Sequence, residues 1–494
     1  MGYSSQMVTE QSERENKYEA EPGFVLPDLA QFVPAGGRSE RATVGLDSVY
    51  FDTGDLDLLR YGVTLRCRTG TTDTGWQLKV PDGDARTEIR LDDTGSQTTV
   101  PKELSALVAG VRRGKTLRHI VTIRTDRAAT RIIDGAETVI VEVADDRVDA
   151  VAPGRRTATI STWREIEAEL GPGGSEEILD AIDGTLRRSG ARTSPSANKV
   201  ARALNAAEPV APALGDRTAG AVILAYLAAQ DRQLVEGDLS LRRERGGIHP
   251  TRVATRRLRS TLRIFADYFD ADRAQALDEE LSWYAGVLGE VRDREVQRAR
   301  FAAAVAELPP EEVLGPVAAR IDQVLLTEQI KYQKALLRAM NTKRYFALLR
   351  EVQIWVTEPP FTALAQEKPA RLRAAVAKAG KKVSKHLAGG LGPDGDDEEL
   401  HKARKAGKRA RYAAELAAAV LGKGAKKSAD RFEELQDILG EHQDSVVAAE
   451  LLRRLGSATA SQDSDNGFTY GLLYAREQRS AAESRLQAAS WKAP

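Results

Sequence analysis

Three charged side chains near the N-terminus have the spacing to act together on a charged ligand. Glu13, Glu15 and Lys17 alternate with Arg14 and Asn16, and alternate side chains of a strand point to the same face of a sheet. On a solvent-exposed edge, this pattern needs no ligand. Inside a closed sheet, two carboxylates and an ammonium are costly unless a charged ligand binds there. The other strands decide between these two interpretations.

Charged residues alternate in the same way in strands predicted further along the chain. Segments 62–68, 76–80 and 86–90 carry basic residues at alternate positions, and segment 162–170 carries acidic ones. One sign tends to repeat along each strand, whereas an exposed sheet usually mixes both signs with neutral polar residues. A closed antiparallel sheet with a charged interior fits this set better, because arginine and lysine hold polyanions and carboxylates hold the divalent metals that accompany them. The residues concerned are Arg66, Arg68, Lys79, Arg86, Glu165, Glu167 and Glu169.

Length and composition indicate a globular protein of several domains. The chain has 494 residues, of which 42% are hydrophobic and 29% are charged, and this length exceeds that of one ordinary core. The single cysteine, Cys67, excludes an internal disulfide and a zinc–cysteine cluster. We interpret it as a packing residue in a reducing cytoplasm. The first residues lack a signal-peptide pattern, and no apolar run is long enough to span a bilayer.

The net charge of zero conceals two unlike halves. Residues 1–216 hold 27 basic and 34 acidic residues, a net charge of −7, whereas residues 217–494 hold 45 and 38, a net charge of +7. Pro209 and Pro212 lie between them in a stretch with little periodicity, which predicts a linker at 206–216. Beyond it, helical spacing predicts an all-helical half.

In their order along the chain, the strand motifs resemble the CYTH domain, a family also called triphosphate tunnel metalloenzymes. The resemblance covers residues 10–205 and implies an eight-stranded antiparallel tunnel that hydrolyses triphosphates with Mg²⁺ or Mn²⁺. The motifs that carry it are Glu13-x-Glu15-x-Lys17, Tyr50-Phe51-Asp52-Thr53, Leu65-Arg-x-Arg68, Trp76-x-Leu-Lys79, Arg86-x-Glu88 and Glu167-x-Glu169.

The CYTH resemblance also implies a role for each matching residue. The catalytic residues would be Glu13, Glu15 and Lys17. The substrate-binding residues would be Lys17, Arg66, Arg68, Lys79, Arg86, Arg124, Arg131 and Lys199. The metal ligands would be Glu13, Glu15, Asp146, Glu167 and Glu169. The register of Arg124, Arg127 and Arg131 stays open, because their spacing does not keep all three on one face of a strand.

The helical half contains a duplicated basic motif. His249-x-x-Arg252-x-x-x-Arg256-Arg257-x-Arg259 recurs as His401-x-x-Arg404-x-x-x-Lys408-Arg409-x-Arg411, and Leu-Gly-x-x-x-Asp follows each copy, ending at Asp293 and Asp444. Steps of three and four place the basic residues in one stripe along a helix. A solvated face would carry interspersed glutamates, but the stripe carries one sign except for Glu415 at the far end of the second copy. The one-signed stripe favours a polyanion site.

This duplicated pattern resembles the CHAD domain over residues 217–490, a family that commonly follows CYTH on one chain. It implies two four-helix bundles that bind inorganic polyphosphate. Asp293 and Asp444 would orient the arginines, and a metal role for the histidines is disfavoured because no carboxylate lies at ligand spacing. The implied polyphosphate contacts are His249, Arg252, Arg256, Arg259, His401, Arg404, Lys408 and Arg411.

We therefore expect an α+β protein with an antiparallel β tunnel followed by duplicated four-helix bundles. Its expected function is metal-dependent hydrolysis of a triphosphate, inorganic triphosphate first, with polyphosphate binding by the helical half, in the cytoplasm and at polyphosphate granules. The alternatives are a non-catalytic granule-binding protein, an adenylyl cyclase and a thiamine triphosphatase, and the paired carboxylates favour an enzyme. Nucleic acid is a weaker partner, because the basic stripe lacks aromatic residues that stack on bases. The oligomeric state stays open.

Overall fold

The structure is a computed structural model that divides into two compact units, Met1–Val210 and Ala211–Pro494. The predicted linker at 206–216 lies outside the residues that the structure describes. The described residues are 9–21, 23–70, 74–83, 85–92, 97–154, 157–196, 198–205, 218–392, 396–459 and 467–494.

The first unit is built around one antiparallel sheet. Its strands are β1 (Thr9–Glu13), β2 (Glu15–Glu19), β3 (Arg38–Asp52), β4 (Thr64–Gly70), β5 (Gly75–Asp82), β6 (Ala85–Leu91), β7 (Arg118–Ile133), β8 (Val139–Ala152), β9 (Thr159–Leu170) and β10 (Arg192–Thr193). Its helices are α1 (Asp57–Arg60), α2 (Lys102–Leu107), α3 (Glu176–Arg188) and α4 (Lys199–Ala203).

The sheet closes on itself at Arg14. In the hydrogen-bonded order β1-β6-β5-β4-β3-β7-β8-β9-β2-β10, β1 lies at one end and β2 beside the other, although only Arg14 separates them in sequence. The antiparallel sheet predicted from the sequence is confirmed, but over the residues described it has ten strands rather than eight. The predicted first strand is broken at Arg14, where it changes partner from β6 to β9, and the two-residue β10 adds a further pairing to β2.

The outward side of β7, β8, β9 and β2 is apolar and packs against α3. Because side chains alternate along each strand, the residues between the inward charged ones form this outer core. Burial of aliphatic side chains contributes about 1.5–3 kcal/mol each, which helps to offset the cost of a charged interior. The core residues include Tyr18, Ile132, Val141, Val143 and Ile166 from the strands and Leu179, Ile182 and Leu186 from α3.

The Tyr50-Phe51-Asp52-Thr53 motif ends β3 and fixes the start of α1. The buried Asp52 carboxylate accepts hydrogen bonds from the backbone N–H groups of Thr53, Leu58 and Leu59 at 2.6, 2.8 and 2.9 Å. Burial raises the pKa of Asp52 to about 6 against these hydrogen bonds. Asp52 therefore has a structural role at the end of the strand that carries Tyr50 into the interior.

The second unit is all-helical over the residues described, as the sequence predicted. Its helices are α5 (Ala219–Arg242), α6 (Ile248–Ile264), α7 (Ala271–Ala306), α8 (Val317–Ala339), α9 (Lys343–Thr357), α10 (Leu372–Leu391), α11 (Asp397–Leu421), α12 (Lys423–Thr459) and α13 (Phe468–Ser490). The helix with the basic motif is second in each run of four helices: α6 in α5–α8 and α11 in α10–α13. The helix that follows it has a similar length in both runs, 36 residues for α7 and 37 for α12. Within the described part of the chain, every helix is too short or too polar to cross a membrane.

The two helices that carry the basic motif, α6 and α11, pack against each other. Their apolar faces enter one core: Ala254, Leu258 and Leu262 of α6 and Ala413 and Leu416 of α11 are buried in the same cluster. Arg256 of α6 and Arg404 of α11 are close enough for the positive charge of Arg404 to lower the pKa of Arg256. The basic stripes of the two repeats therefore lie close to each other.

Candidate functional site

The interior of the closed sheet holds a charged cavity of about 90 Å³. Among the residues described, eight cationic side chains and five carboxylates line it. The cations are Lys17, Arg66, Arg68, Lys79, Arg86, Arg90, Arg127 and Lys199. The carboxylates are Glu13, Glu15, Glu88, Glu167 and Glu169. The alternation of each strand thus delivers charges of both signs to one space.

The three residues of the N-terminal motif meet in this cavity, although β1 carries one and β2 the other two. The Lys17 Nζ donates a hydrogen bond of 2.7 Å to Glu167 Oε1, opposite it in the β2–β9 register, and lies 3.2 Å from Glu15 Oε1. Arg86, the register partner of Glu13, lies 3.6 Å from Glu15. Burial acts to raise the pKa of Glu15, but the positive charges of Lys17, Lys79 and Arg86 together outweigh it and lower that pKa.

Glu13 and Glu88 share one ammonium and have opposite pKa shifts. The Lys79 Nζ lies 3.2 Å from Glu88 Oε2 and also contacts Glu13 Oε2. Burial raises the pKa of Glu13 to about 7, and the Glu88 charge acts in the same direction against Lys79. Burial also acts to raise the pKa of Glu88, but Lys79 and Arg66 act against it, and the pKa is lowered to about 2. Glu13 is therefore the member of the pair that holds a proton near neutral pH.

Neutral side chains orient the arginines of β4. Arg66 Nε donates a 2.6 Å hydrogen bond to Gln77 Oε1, and its Nη1 donates one of 3.1 Å to the Tyr50 hydroxyl. Arg68 Nε donates a 3.2 Å hydrogen bond to Ser48 Oγ. Burial acts to raise the pKa of Tyr50, but the two arginines lower it. Guanidinium groups held in this way are oriented for bidentate contact with phosphate oxygens.

Strand β7 delivers Arg127, and not Arg124, to the interior. Arg127 donates hydrogen bonds to Asp146 and Glu167, at 2.7 Å and 2.6 Å from its Nη2. Arg124 lies on the opposite face, where its side chain is 76% exposed and pairs with Asp47. Arg131 shares the inward face with Arg127 but is half-exposed towards the end of the sheet and pairs with Glu142. An odd number of positions along the strand separates Arg124 from the other two, so Arg124 points to the outer face and does not line the tunnel as the resemblance implied.

Lys199 lies among three buried carboxylates. Its Nζ is 2.9 Å from Asp146, 2.6 Å from Glu165 and 2.7 Å from Glu167. The three carboxylates each place an oxygen within 4.8 Å of the others, a spacing that suits a metal ion. Because the ammonium already lies in their midst and Arg127 contacts two of them, a metal would have to displace Lys199. We therefore regard this cluster as a structural ion-pair network.

Three further carboxylates, Glu13, Glu15 and Glu169, line the cavity on β1, β2 and β9. Burial raises the pKa of Glu169, and Glu15 and Glu167 act in the same direction against Lys79. The raised pKa values of Glu13 and Glu169 mean that the protein's own cations do not fully offset the burial of these carboxylates. A divalent metal held by Glu13, Glu15 and Glu169 would offset them, and carboxylate oxygens are suitable ligands for Mg²⁺ and Mn²⁺.

In the helical unit, four cations of the two repeats converge. Burial lowers the pKa of Arg256, and the neighbouring Arg252 and Arg404 act in the same direction. Burial together with Arg404, Arg256 and Arg252 lowers the pKa of Lys408 to about 6. The buried Nε atoms of Arg256 and Arg404 find no hydrogen-bond partner among the described residues. We call Arg252, Arg256, Arg404 and Lys408 the cation cluster.

The Leu-Gly-x-x-x-Asp motif positions one arginine in each repeat. Arg252 Nη1 donates a 2.8 Å hydrogen bond to Asp293 Oδ1, and Arg404 lies 3.6 Å from Asp444 Oδ1. A Cβ at Gly289 would lie 3.5 Å from Arg252 Nη2, and one at Gly440 would lie 3.9 Å from Arg404 Nη2. Each glycine thus leaves room for a guanidinium that the aspartate of the same motif orients.

The remaining predicted polyphosphate contacts lie apart from the cation cluster or at its edge. Arg259 pairs with Asp278 at 3.0 Å, and Arg411 pairs with Glu415 and Glu433, both at 2.8 Å. His249 is exposed. His401 Nδ1 lies 2.6 Å from Gln443 Oε1. The predicted single stripe is therefore divided, because carboxylates of neighbouring helices engage its far end.

Several cavity residues were absent from the predicted site. Glu88 and Arg90 continue the alternation that begins at Arg86, so the parity of β6 could have identified both. Glu165 precedes Glu167 with the same parity and contacts Lys199. The cavity residues to which the prediction gave no role include Tyr50, Glu88 and Arg90.

Comparison with known families defines the class of protein. The CYTH domain model matches residues 28–204, and the CHAD domain model matches residues 225–453. The chain belongs to the family of proteins in which a CYTH domain is followed by a CHAD domain. The closed sheet with its charged interior is thus a triphosphate tunnel of the metal-dependent kind, joined to a CHAD domain.

A relative of similar length supports this membership. The chain is 32% identical to the uncharacterized protein MT2285 of Mycobacterium tuberculosis (strain CDC 1551 / Oshkosh), over 96% of this chain and 94% of that protein. Among solved structures, PptA from Streptomyces chartreusis is 22% identical, with a TM-score of 0.47, and covers 55% of this chain and 99% of its own. The CHAD domain from the plant Ricinus communis is 23% identical, with a TM-score of 0.45, and covers 58% of this chain and 97% of its own.

Proposed function

We propose that the tunnel hydrolyses inorganic triphosphate with Mg²⁺ or Mn²⁺ and that the helical unit binds inorganic polyphosphate. The observation that carries the first part is the cavity itself, which eight cations and five carboxylates line among the residues described. A triphosphate brings about four negative charges that these cations can bind, and a divalent cation can bind the carboxylates. An uncharged substrate would leave the cations with only their present carboxylate partners.

In the tunnel, the cationic residues bind the phosphate groups and the carboxylates bind the metal. Arg66, Arg68 and Arg86 bind and orient the phosphate oxygens, since phosphoryl transfer depends chiefly on positioning and charge. Lys17 contacts the terminal phosphoryl group from β2. When bound, the metal polarises that group and supplies a water of lowered pKa. Glu13, Glu15 and Glu169 hold the metal, and Lys79 adds a cation beside them.

In this proposal, Lys199 and Arg127 neutralise Asp146 and Glu167. These two predicted metal ligands therefore act by holding the cations in place. Glu167 also contacts Lys17, which links this network to the N-terminal motif. We therefore place Asp146 and Glu167 behind the metal rather than on it.

The substrate panel that tests the proposal is phosphate release from inorganic triphosphate, ATP and thiamine triphosphate, each with and without Mg²⁺. The proposal requires that inorganic triphosphate be hydrolysed fastest and only with metal. Formation of cyclic AMP would favour an adenylyl cyclase, and preference for thiamine triphosphate would favour a thiamine triphosphatase. Inactivity on all three substrates would leave a binding protein.

Polyphosphate binding by the helical unit rests on the cation cluster. A linear polyanion matches a cluster of like charges that lacks enough carboxylates of its own. Arg256→Ala combined with Lys408→Ala should weaken polyphosphate binding at least about tenfold and leave triphosphate turnover unchanged. The matched control is Arg453→Ala, which removes an exposed cation that pairs with Glu450. Equal affinities for polyphosphate in all three proteins would contradict this site.

We also propose that the CYTH domain spans 10–205 and the CHAD domain 217–490. In the same proposal, the protein lies in the cytoplasm at polyphosphate granules. If the cation cluster anchors the protein to granules, the double variant should lose granule association in cells while a fluorescent tag reports unchanged abundance. Retention of the double variant on granules would contradict the anchoring role.

A further inference from the structure

Lys408 differs from the other lysines of α11 in what surrounds its amine. Its neighbours are the guanidinium groups of Arg252, Arg256 and Arg404, contributed by both repeats. The nearest opposing charge that acts on it is Asp444, which lies 3.6 Å from Arg404 instead. Among the residues described, Lys408 has no hydrogen bond or ion pair of its own. Its amine thus lies in a site built for an anion, without an anion to stabilise its charge.

These surroundings disfavour the ammonium form. Desolvation and three nearby positive charges both act against a proton on nitrogen, and they lower the pKa of Lys408 to about 6. At neutral pH the side chain therefore carries an unprotonated amine with a free electron pair. Lysines become nucleophilic in this way when they are desolvated or lie beside another cation.

The three guanidiniums would also hold the phosphate of a reactive small molecule next to that amine. Guanidinium groups bind phosphate oxygens in bidentate fashion, and the buried Nε atoms of Arg256 and Arg404 lack partners among the described residues. We propose that Lys408 is a modification site at which acyl phosphates, held by Arg256 and Arg404, acylate the side-chain amine.

The reaction balances without a redox partner. The electron pair of Lys408 Nζ attacks the acyl carbon, and a carbon–nitrogen bond forms. The bond from that carbon to the phosphate oxygen breaks, and inorganic phosphate leaves with the electron pair. The proton lost by nitrogen passes to the departing phosphate or to water. The products are an Nε-acyl-lysine and inorganic phosphate.

Acylation would control the proposed polyphosphate site, and this consequence rests on the proposed function. An amide nitrogen cannot gain a proton when a polyanion arrives, so the modified cluster loses one of its four cations. Conversely, bound polyphosphate would cover Lys408 and stabilise its ammonium form, which is not nucleophilic. The two anions, acyl phosphate and polyphosphate, would therefore exclude each other.

The test compares two lysines of the same helix in the unmodified full-length protein. Lys405 lies three residues before Lys408 and is exposed, so access alone would favour it. The protein is incubated with acetyl phosphate at pH 7.5, and acetylation of each lysine is followed by mass spectrometry. We expect Lys408 to react about tenfold faster than Lys405, because its larger fraction of free amine outweighs its lower basicity. Equal or slower reaction at Lys408 overturns the proposal.

A second acyl donor tests the part played by the arginines. Phenyl acetate transfers the same acetyl group but has no phosphate. The preference for Lys408 over Lys405 should fall by at least about fivefold with this donor, since Arg256 and Arg404 have no anion to bind. An unchanged preference overturns the docking step. Protection of Lys408 by added polyphosphate supports the shared site, whereas rapid acetylation without protection supports the inference and contradicts the proposed polyphosphate site.

Discussion

Lys199 Nζ donates a 2.7 Å hydrogen bond to Glu167 Oε1 and so joins α4 to β9 inside the tunnel. The same ammonium contacts Asp146 and Glu165. Although burial opposes it, these carboxylates raise the pKa of Lys199. A helix that follows the last long strand therefore supplies the cation on which the acidic side of the tunnel depends.

Lys199→Met should destabilise the first unit, because it leaves three buried carboxylates with Arg127 as their main cation. Breaking a buried ion pair in this way costs about 3–5 kcal/mol, which thermal or chemical unfolding would detect. The variant should also gain stability from added Mg²⁺, since the three oxygens then have the spacing of a cation site. Lys102→Met, which alters an exposed lysine of the same unit, is the control. Unfolding of Lys199→Met at the wild-type temperature would contradict the network.

A comparison of Arg127→Ala with Arg124→Ala should show which face of β7 lines the tunnel. Arg127 lines the tunnel and contacts Glu167, so its loss should reduce kcat/KM for triphosphate about 100-fold, the usual scale for one preorganised charge. Arg124 lies on the outer face, and its loss should leave kcat/KM unchanged. A comparable loss of activity in both variants would contradict the register of this strand.

Gly289→Leu should weaken polyphosphate binding by displacing Arg252, whose guanidinium lies 3.5 Å from the Cβ position. We expect an affinity loss of about tenfold, or 1.4 kcal/mol. Gly286→Leu on the same helix is the matched control, because nothing lies within 4 Å of its Cβ. Binding would be measured by calorimetry with polyphosphate of defined length. A larger loss in the control than in Gly289→Leu would refute the role given to the glycine.

Polyphosphate affinity should fall as the pH rises from 7 to 9. The free protein holds Lys408 largely unprotonated above its pKa of about 6, whereas a bound polyanion raises that pKa. The complex therefore holds a proton that the free protein lacks, and affinity decreases by up to about tenfold per pH unit. Lys408→Arg keeps its charge throughout and should bind with little pH dependence.

Other titratable groups near the cation cluster do not explain this pH window. Burial and neighbouring cations lower the pKa values of His249 on α6 and His401 on α11, so both are neutral above pH 7. Asp293 on α7 and Asp444 on α12 are carboxylates, and burial raises the pKa of Asp444 from an acidic starting value. A pH profile of Lys408→Arg as steep as that of the wild type would assign the proton elsewhere.

Alternation along the strands was sufficient to predict most of the tunnel lining. Arg66, Arg68 and Lys79 face inward as their parity requires, and the fold class followed from the same pattern. The break at Arg14 could not be predicted, because Glu13 and Glu15 keep the same parity whether one strand or two carry them. Only the pairing of β1 with β6 and of β2 with β9 shows where the sheet closes.

Pairing partners were harder to predict than faces. The resemblance implied Asp146 and Glu167 as metal ligands, which stays a prediction, but it did not indicate that Lys199 and Arg127, 53 and 19 residues from Asp146 along the chain, contact both. In the helical unit, the step of three and four correctly aligned Arg252 with Arg256. It could not show that Asp278, on the next helix, engages Arg259, because helical spacing carries no information about the neighbouring helix.

Phosphate release from inorganic triphosphate, measured for the wild type and for Glu15→Gln with Mg²⁺ and with a chelator, tests the central claim most directly. The account predicts rapid release by the wild type with Mg²⁺, none with the chelator, and a rate at least about 100-fold lower for Glu15→Gln. Equal rates for the two proteins, or an inactive wild type in the presence of Mg²⁺, would contradict it.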